Sequence, residues 1–289
     1  MELYQQPIDP SPAPGWCSVN ALHRDARGCN PRGLDVAEEM PLAIRYNDFS
    51  HAVMMGTPLD LEDFAVGFSI TEGVASGLDD LRTIETTRCD NGIGISVLLA
   101  PEALHRFLAR RRVRALRGRT SCGLCGVEDF GDVAFTPAAR VRPAPAIDQA
   151  VLQAALEGLR ELQPLSVRTR GAHAAAWVAH DRDLCLVRED VGRHNALDKL
   201  IGAALRDRLD LAGGFCLITS RCSYEMVQKA AVAGIPALVA ISAPTALAIR
   251  TARLAGLTLI ALDRSEGHLI YASSAGDDDV HDGHEEFCP

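Results

Sequence analysis

The stretch from residue 213 to residue 263, GGFCLITSRCSYEMVQKAAVAGIPALVAISAPTALAIRTARLAGLTLIALD, carries the pattern that decides the fold. Three short apolar runs, FCLIT, ALVAI and LTLIAL, are separated by segments at 222–233 and 245–255 that are long enough for helices. Continuous apolar strands suit a sheet covered on both faces. Their alternation with helices is the mark of right-handed βαβ units. Ala230 to Ile249 carries no charge over about the length of a bilayer span. Gly234, Pro236, Ser242, Pro244 and Thr245 interrupt it, so it reads as a buried α/β unit and not as a membrane helix.

Upstream, the same alternation extends through a helix at 193–207 and two strands near 172–179 and 184–188. Asp148 can cap a further helix whose Val151, Leu152, Ala155, Leu156, Leu159 and Leu162 form one face, with Pro164 just past its end. Residues 142–273 therefore read as a three-layer α/β domain, entered through a proline-containing linker at Arg142–Ala146.

Residues 34–141 read as a smaller α+β domain. Pro41 to Met55 alternates about Asn47 and Asp48 like a hairpin, and Thr57, Pro58 and Asp60 then offer an N-cap, an N1 proline and an acidic N3 residue. Leu61, Phe64, Ala65 and Phe68 recur at helical spacing, with Gly73 as the stop. A second hairpin turns at Asp90, Asn91 and Gly92, and a helix follows from Pro101 to Arg112. Residues 1–33, rich in Pro, Gly and Asn without an apolar period, read as a disordered tail. Residues 274–289 read as an acidic one.

Composition bounds the function. With 47% hydrophobic and 23% charged residues among 289, the chain sits in the globular class. A formal charge of -9 argues against nucleic acid and anionic membranes as whole-surface partners. Nine cysteines, an odd number, imply no disulfide framework. The opening MELYQQPIDPSPAPGW lacks the positive charge and apolar helix of a signal peptide, so a cytoplasmic, reduced protein is expected.

In an open α/β sheet, ligands sit outside the carboxyl ends of the strands, where helix N-termini direct free N–H groups outward. Those ends carry Ser220, Arg221 and Ser223, then Ser242, Pro244 and Thr245, then Asp263 and Arg264, and the dense run Glu189, Asp190, Arg193, His194 and Asn195. Each alone reads as a cap or a turn. The four ends together point to a nucleotide-like ligand.

The second candidate is CGLCG, with Cys122 and Cys125, reached through seven arginines between Arg106 and Arg119. Two thiols at this spacing can share a metal, exchange a disulfide or pass a sulfur atom. A closed zinc site needs two further ligands, and no second CxxC or HxxxH pair supplies them. The arginines favour thiolate over thiol, and the glycines suit a mobile loop.

SCGLCG, EDVGRHNALDKLIG, SRCSYEMVQKAAVAGIP, SAPTALAI and TPLDLEDFAVGF with Glu72-Gly73, in this sequence, resemble the formate dehydrogenase accessory sulfurtransferase family over about Leu34 to Tyr271. The resemblance implies a deaminase-like α/β domain and a homodimer. It also implies a sulfur carrier that takes persulfide sulfur from a cysteine desulfurase and passes it to the bis-guanylyl molybdopterin cofactor before insertion into formate dehydrogenase. On it, Cys122 is the persulfide cysteine and Cys125 its partner. Leu262, Asp263, Arg264, Ser265, Glu266 and Gly267 form the cofactor-binding segment, which Glu266 makes less basic. Arg221, Ser242, Thr245, Arg193 and His194 complete the expected cofactor rim, and no structural metal is expected.

Two other readings use the same residues. A zinc nucleoside deaminase needs H-x-E with PCxxC, but His173 is followed by Ala174 and Ala175, and Ser121 precedes Cys122. A non-catalytic chaperone would bind the cofactor at the strand ends without using the thiols.

Overall fold

The computed structural model describes residues 15–26, 28–115, 140–180, 184–262 and 267–274. The first pair of elements corrects the tail expectation. Strands β1 (Trp16–Asp25) and β2 (Gly28–Ala37) form an antiparallel hairpin paired through ten registers, from Trp16 opposite Ala37 to Asp25 opposite Gly28. Most of its residues are exposed on both faces, so no buried side imposes the alternation by which a strand is recognised.

Strands β3 (Met40–Tyr46), β4 (Phe49–Gly56), β5 (Leu81–Cys89) and β6 (Gly92–Leu99) make a four-stranded sheet in the order β4-β3-β6-β5. Helices α1 (Leu61–Thr71) and α2 (Pro101–Ala115) cover it, burying Phe64, Phe68, Ala103 and Phe107 against Leu42, Ile44, Ile95 and Val97. Helix α1 starts later than the sequence implies. Asp60, at φ 51, is its N-cap, while Thr57 is buried and recruited elsewhere.

The larger domain holds α3 (Gln149–Glu161), α4 (Pro164–Thr169), β7 (His173–Ala179), β8 (Leu184–Asp190), α5 (Arg193–Arg206), β9 (Gly214–Ile218), α6 (Tyr224–Val232), β10 (Ala237–Ala240), α7 (Ala246–Ala255), β11 (Thr258–Leu262) and β12 (His268–Ala272). Pro164 opens α4 at its first turn and does not simply end α3, because proline's missing N–H costs nothing there. The sheet order is β12-β11-β10-β9-β7-β8. Strands β9, β10 and β11 are parallel, as the alternation predicts; β7 and β12 run against their neighbours. Side chains alternate to two cores. Trp177, Cys216, Ile218 and Leu238 face α5, α6 and α7, while Ala176, Phe215, Leu217 and Val239 face α3. The three layers are as expected.

The two domains meet where α1 crosses α5. A Cβ added to Gly67 would lie 1.7 Å from the Asp198 carbonyl oxygen, and one added to Gly202 would lie 1.8 Å from that of Asp63. Both obstacles are backbone, so the helices would have to separate. Gly67→Ala is expected to cost about 1–3 kcal/mol of stability, read as a lower midpoint in urea; an unchanged midpoint would show that the crossing is loose.

Candidate functional site

Strand β7 is antiparallel to both β8 and β9, so β8, β9, β10 and β11 all end at one rim, where β7 begins. The geometry of this rim is fixed from beneath. Asp190, the last residue of β8, is fully buried and receives the Lys199 ammonium at 2.7 Å. Its carboxylate also accepts the N–H of Gly192 at 2.7 Å and of Thr57 at 3.0 Å, and Asn195 Nδ2 at 3.1 Å. Lys199 Nζ donates further to the carbonyls of Thr57 and Glu189. Every donor of the ammonium is used.

Alongside, Lys229 Nζ reaches Asp198 Oδ2 at 2.9 Å and Thr71 Oγ1 at 2.9 Å, with Glu72 at 3.5 Å. Burial opposes the Lys229 charge, but Asp198 and Glu72 outweigh it and hold its pKa above the usual lysine range. Arg188 and Arg206 both bind Asp63 on α1. The motif blocks TPLDLEDFAVGF and EDVGRHNALDKLIG are therefore the two sides of one domain seam, a role not evident from the sequence.

What the seam presents to the rim is the N-terminus of α5, with Gly192 as N-cap and Arg193 and His194 in the first turn. Two basic side chains at the positive end of a helix are electrostatically opposed unless an anion answers them. His194 Nε2 has one such answer, Glu225 Oε2 at 2.8 Å in the first turn of α6. The hydrogen bond from His194 holds the Glu225 carboxyl below the usual range, against its burial. The buried Arg193 Nε has no hydrogen-bond partner among the described residues. His173, opposite Asp190 in the ladder, is half-buried. Burial lowers its pKa, with Arg193 and His194 acting in the same direction. Glu225 was not singled out from the sequence, although an acidic first-turn residue facing a basic one was the available signal.

The remaining expected rim residues divide. Arg221 is exposed, and Ser242 is half-buried. Thr245 spends its hydroxyl on the cap of α7, accepting the Ala248 N–H at 3.2 Å. The Thr245 N–H donates to the Cys222 carbonyl, which joins the β9 and β10 ends. Leu262 closes β11, and Gly267 directly precedes β12. Asp263, Arg264, Ser265 and Glu266 lie outside the described residues, as do Cys122 and Cys125. Of the described cysteines, Cys216 and Cys222 are buried, and burial drives both thiols up, Cys222 to about 12. Neither forms a thiolate near neutrality.

A cavity of about 390 Å³ lies elsewhere, at the base of the hairpin, lined by Trp16, Leu59, Leu162, Leu165, Arg168 and Glu189 among others. Arg168 stacks on the Trp16 ring at 3.4 Å and binds Asp35. Glu189 accepts the Leu165 and Ser166 N–H groups at 2.8 Å, and burial raises its pKa. Among the described residues no helix is long and apolar enough to cross a membrane.

Fold and rim together define a two-domain α/β protein whose strand-end rim carries the N-terminus of α5 with Arg193 and His194, braced by the domain seam. The chain belongs to the FdhD/NarQ family, whose model matches residues 37–276. It is 49% identical over 238 residues to the sulfur carrier protein FdhD of Cupriavidus necator, covering 82% of each chain. The same-named protein of Xanthomonas euvesicatoria pv. vesicatoria is 47% identical over 250 residues, 86% of this chain and 88% of that one. A crystal structure of a formate dehydrogenase accessory protein from Desulfotalea psychrophila superposes with a TM-score of 0.69 at 26% identity. It covers 90% of this chain and 98% of the other.

Proposed function

We propose that this protein is a sulfurtransferase of formate dehydrogenase maturation, acting as a homodimer in the cytoplasm. Cys122 thiolate attacks the outer sulfur of a cysteine desulfurase persulfide; the S–S bond of the donor breaks, the donor cysteine leaves as thiolate, and Cys122 carries the persulfide. Cys125 exchanges with or resolves that species. The sulfur then passes to the bis-guanylyl molybdopterin cofactor, the substrate, before its insertion into the formate dehydrogenase catalytic subunit.

The observation that carries this reading is the close likeness, over more than four-fifths of the chain, to proteins named sulfur carriers. Two features of the chain support it. The CGLCG pair is preceded by seven arginines that favour thiolate over thiol, whereas the buried Cys216 and Cys222 are unfit as nucleophiles. The α5 N-terminus, with the unpartnered Arg193 Nε, suits a phosphate-bearing substrate.

Incubation of the reduced protein with desulfurase and radiolabelled cysteine tests the assignment. Label should be lost on Cys122→Ala. Label retained equally by Cys122→Ala and Cys125→Ala would overturn it. Should the double serine variant still support formate dehydrogenase maturation in cells, the chaperone reading would replace sulfur transfer.

A further inference from the structure

The β1/β2 hairpin poses a question that sulfur transfer leaves open. Ten-residue strands extend roughly 33 Å, and a lone two-stranded ribbon is marginal in water unless something packs on it. Among the described residues the ribbon belongs to no larger sheet, and its main packing within the chain is at its base, against α4. Leu22 is 72% exposed, and Val19 and Leu34 are exposed as well.

The ladder parity shows which backbone groups are free. The Glu38 N–H donates to the Gly15 carbonyl, which continues the register of Trp16 opposite Ala37. Gly15 and Glu38 are thus a hydrogen-bonded pair, and so, two residues at a time, are Cys17 with Val36, Val19 with Leu34 and Ala21 with Arg32. The N–H and C=O groups of Trp16, Ser18, Asn20 and Leu22 consequently face outward along the free edge of β1. On the opposite edge the same parity turns Pro31, which has no N–H, outward. Proline is a common guard against edge pairing, so β2 is blunted. The β1 edge has no such guard, because residues 16–22, WCSVNAL, contain neither charge nor proline.

We propose that the free edge of β1 pairs antiparallel with β1 of a second copy of this chain, across a two-fold axis at Val19. This rests on the homodimer reading above and supplies its interface. Outward-facing residues then meet outward-facing residues, Ser18 with Asn20 and Trp16 with Leu22, forming a four-stranded sheet. Val19 packs on its own symmetry mate and Cys17 on Ala21, and with Leu34 and Val36 they make one apolar face. The exposed Leu22 of each copy comes beside the other's Trp16, at the cavity also lined by Leu162 and Leu165. The paired segment itself, residues 16–22 of each copy, is uncharged, so no like charges face each other along the shared strands of two chains of charge -9.

Asn20→Pro removes one outward N–H and leaves the hairpin's own ladder intact. By light scattering the unaltered protein should show about twice the chain mass of 31.0 kDa, and Asn20→Pro should show the single mass with unchanged circular dichroism. Val19→Cys, placed in a background with Cys17, Cys29, Cys89, Cys122, Cys125 and Cys288 each replaced by serine, tests the register without threatening the fold. Non-hydrogen-bonded pairs bring Cα atoms to about 4.5 Å, within disulfide range, so diamide should convert most of it to a linked dimer and leave the parent unlinked. A dimer that persists in Asn20→Pro, or a Val19→Cys no better linked than its parent, overturns this interface and leaves the dimer reading standing. A monomeric unaltered protein overturns both.

Discussion

Asp190→Ala should remove about 3–5 kcal/mol of stability, because it leaves the Lys199 ammonium buried without its counter-charge. Against a typical total of roughly 5–15 kcal/mol, that is enough to unfold a substantial fraction of the protein at growth temperature. The loss spreads beyond one ion pair. The same carboxylate holds the N–H groups of Gly192 and Thr57, so the turn that launches α5 and the segment leading into α1 are released together. Thermal and urea unfolding, each followed by circular dichroism, would read the effect. Removing both charges, as Asp190→Ala with Lys199→Met, should recover much of the loss, since no unpaired ion then remains inside. If the single variant unfolds like the unaltered protein, the pair is not a seam element of this weight.

Much of the larger domain was legible because its strands are buried on both faces and announce themselves as apolar runs, as FCLIT and ALVAI do. The hairpin at 16–37 was not, because strands without a buried face carry no period to read. The helix start at Thr57 misled for a different reason. Its hydroxyl would cap a helix in isolation, but in the fold it accepts the Val191 N–H from the other domain, and the cap passes to Asp60. Local capping lost to tertiary burial. At the site, the run Glu189, Asp190, Arg193, His194 and Asn195 spans the end of β8 and the start of α5, but its division of labour was invisible in the sequence. Asp190, Asn195, Asp198 and Lys199 face inward and hold the domains together, whereas Arg193 and His194 reach the rim half-buried. Charge in a sequence does not say whether its partner lies 133 residues away, as Thr57 does from Asp190.

That division ranks the arginines for ligand binding. On the proposed reading the rim holds the phosphates and guanine ends of the molybdopterin dinucleotide, and GDP serves as its probe. Arg193→Ala should lower GDP affinity roughly tenfold or more, the loss of a charge-assisted bond of about 1.5–3 kcal/mol made by a group that is partly desolvated. Arg221→Ala, which removes an exposed side chain, should cost less, in the range of about 0–1 kcal/mol for solvated charge pairs. Because Arg193 supports no described seam contact through its Nε, its loss should leave the unfolding midpoint near that of the unaltered protein, unlike Asp190→Ala. ADP should bind more weakly than GDP, since groups arranged for the guanine edge are left unpaired by adenine. Calorimetric titration decides both points. Equal affinities for GDP and ADP would remove the guanine assignment, while an Arg193→Ala protein that binds GDP unchanged would move the phosphate grip away from the α5 N-terminus.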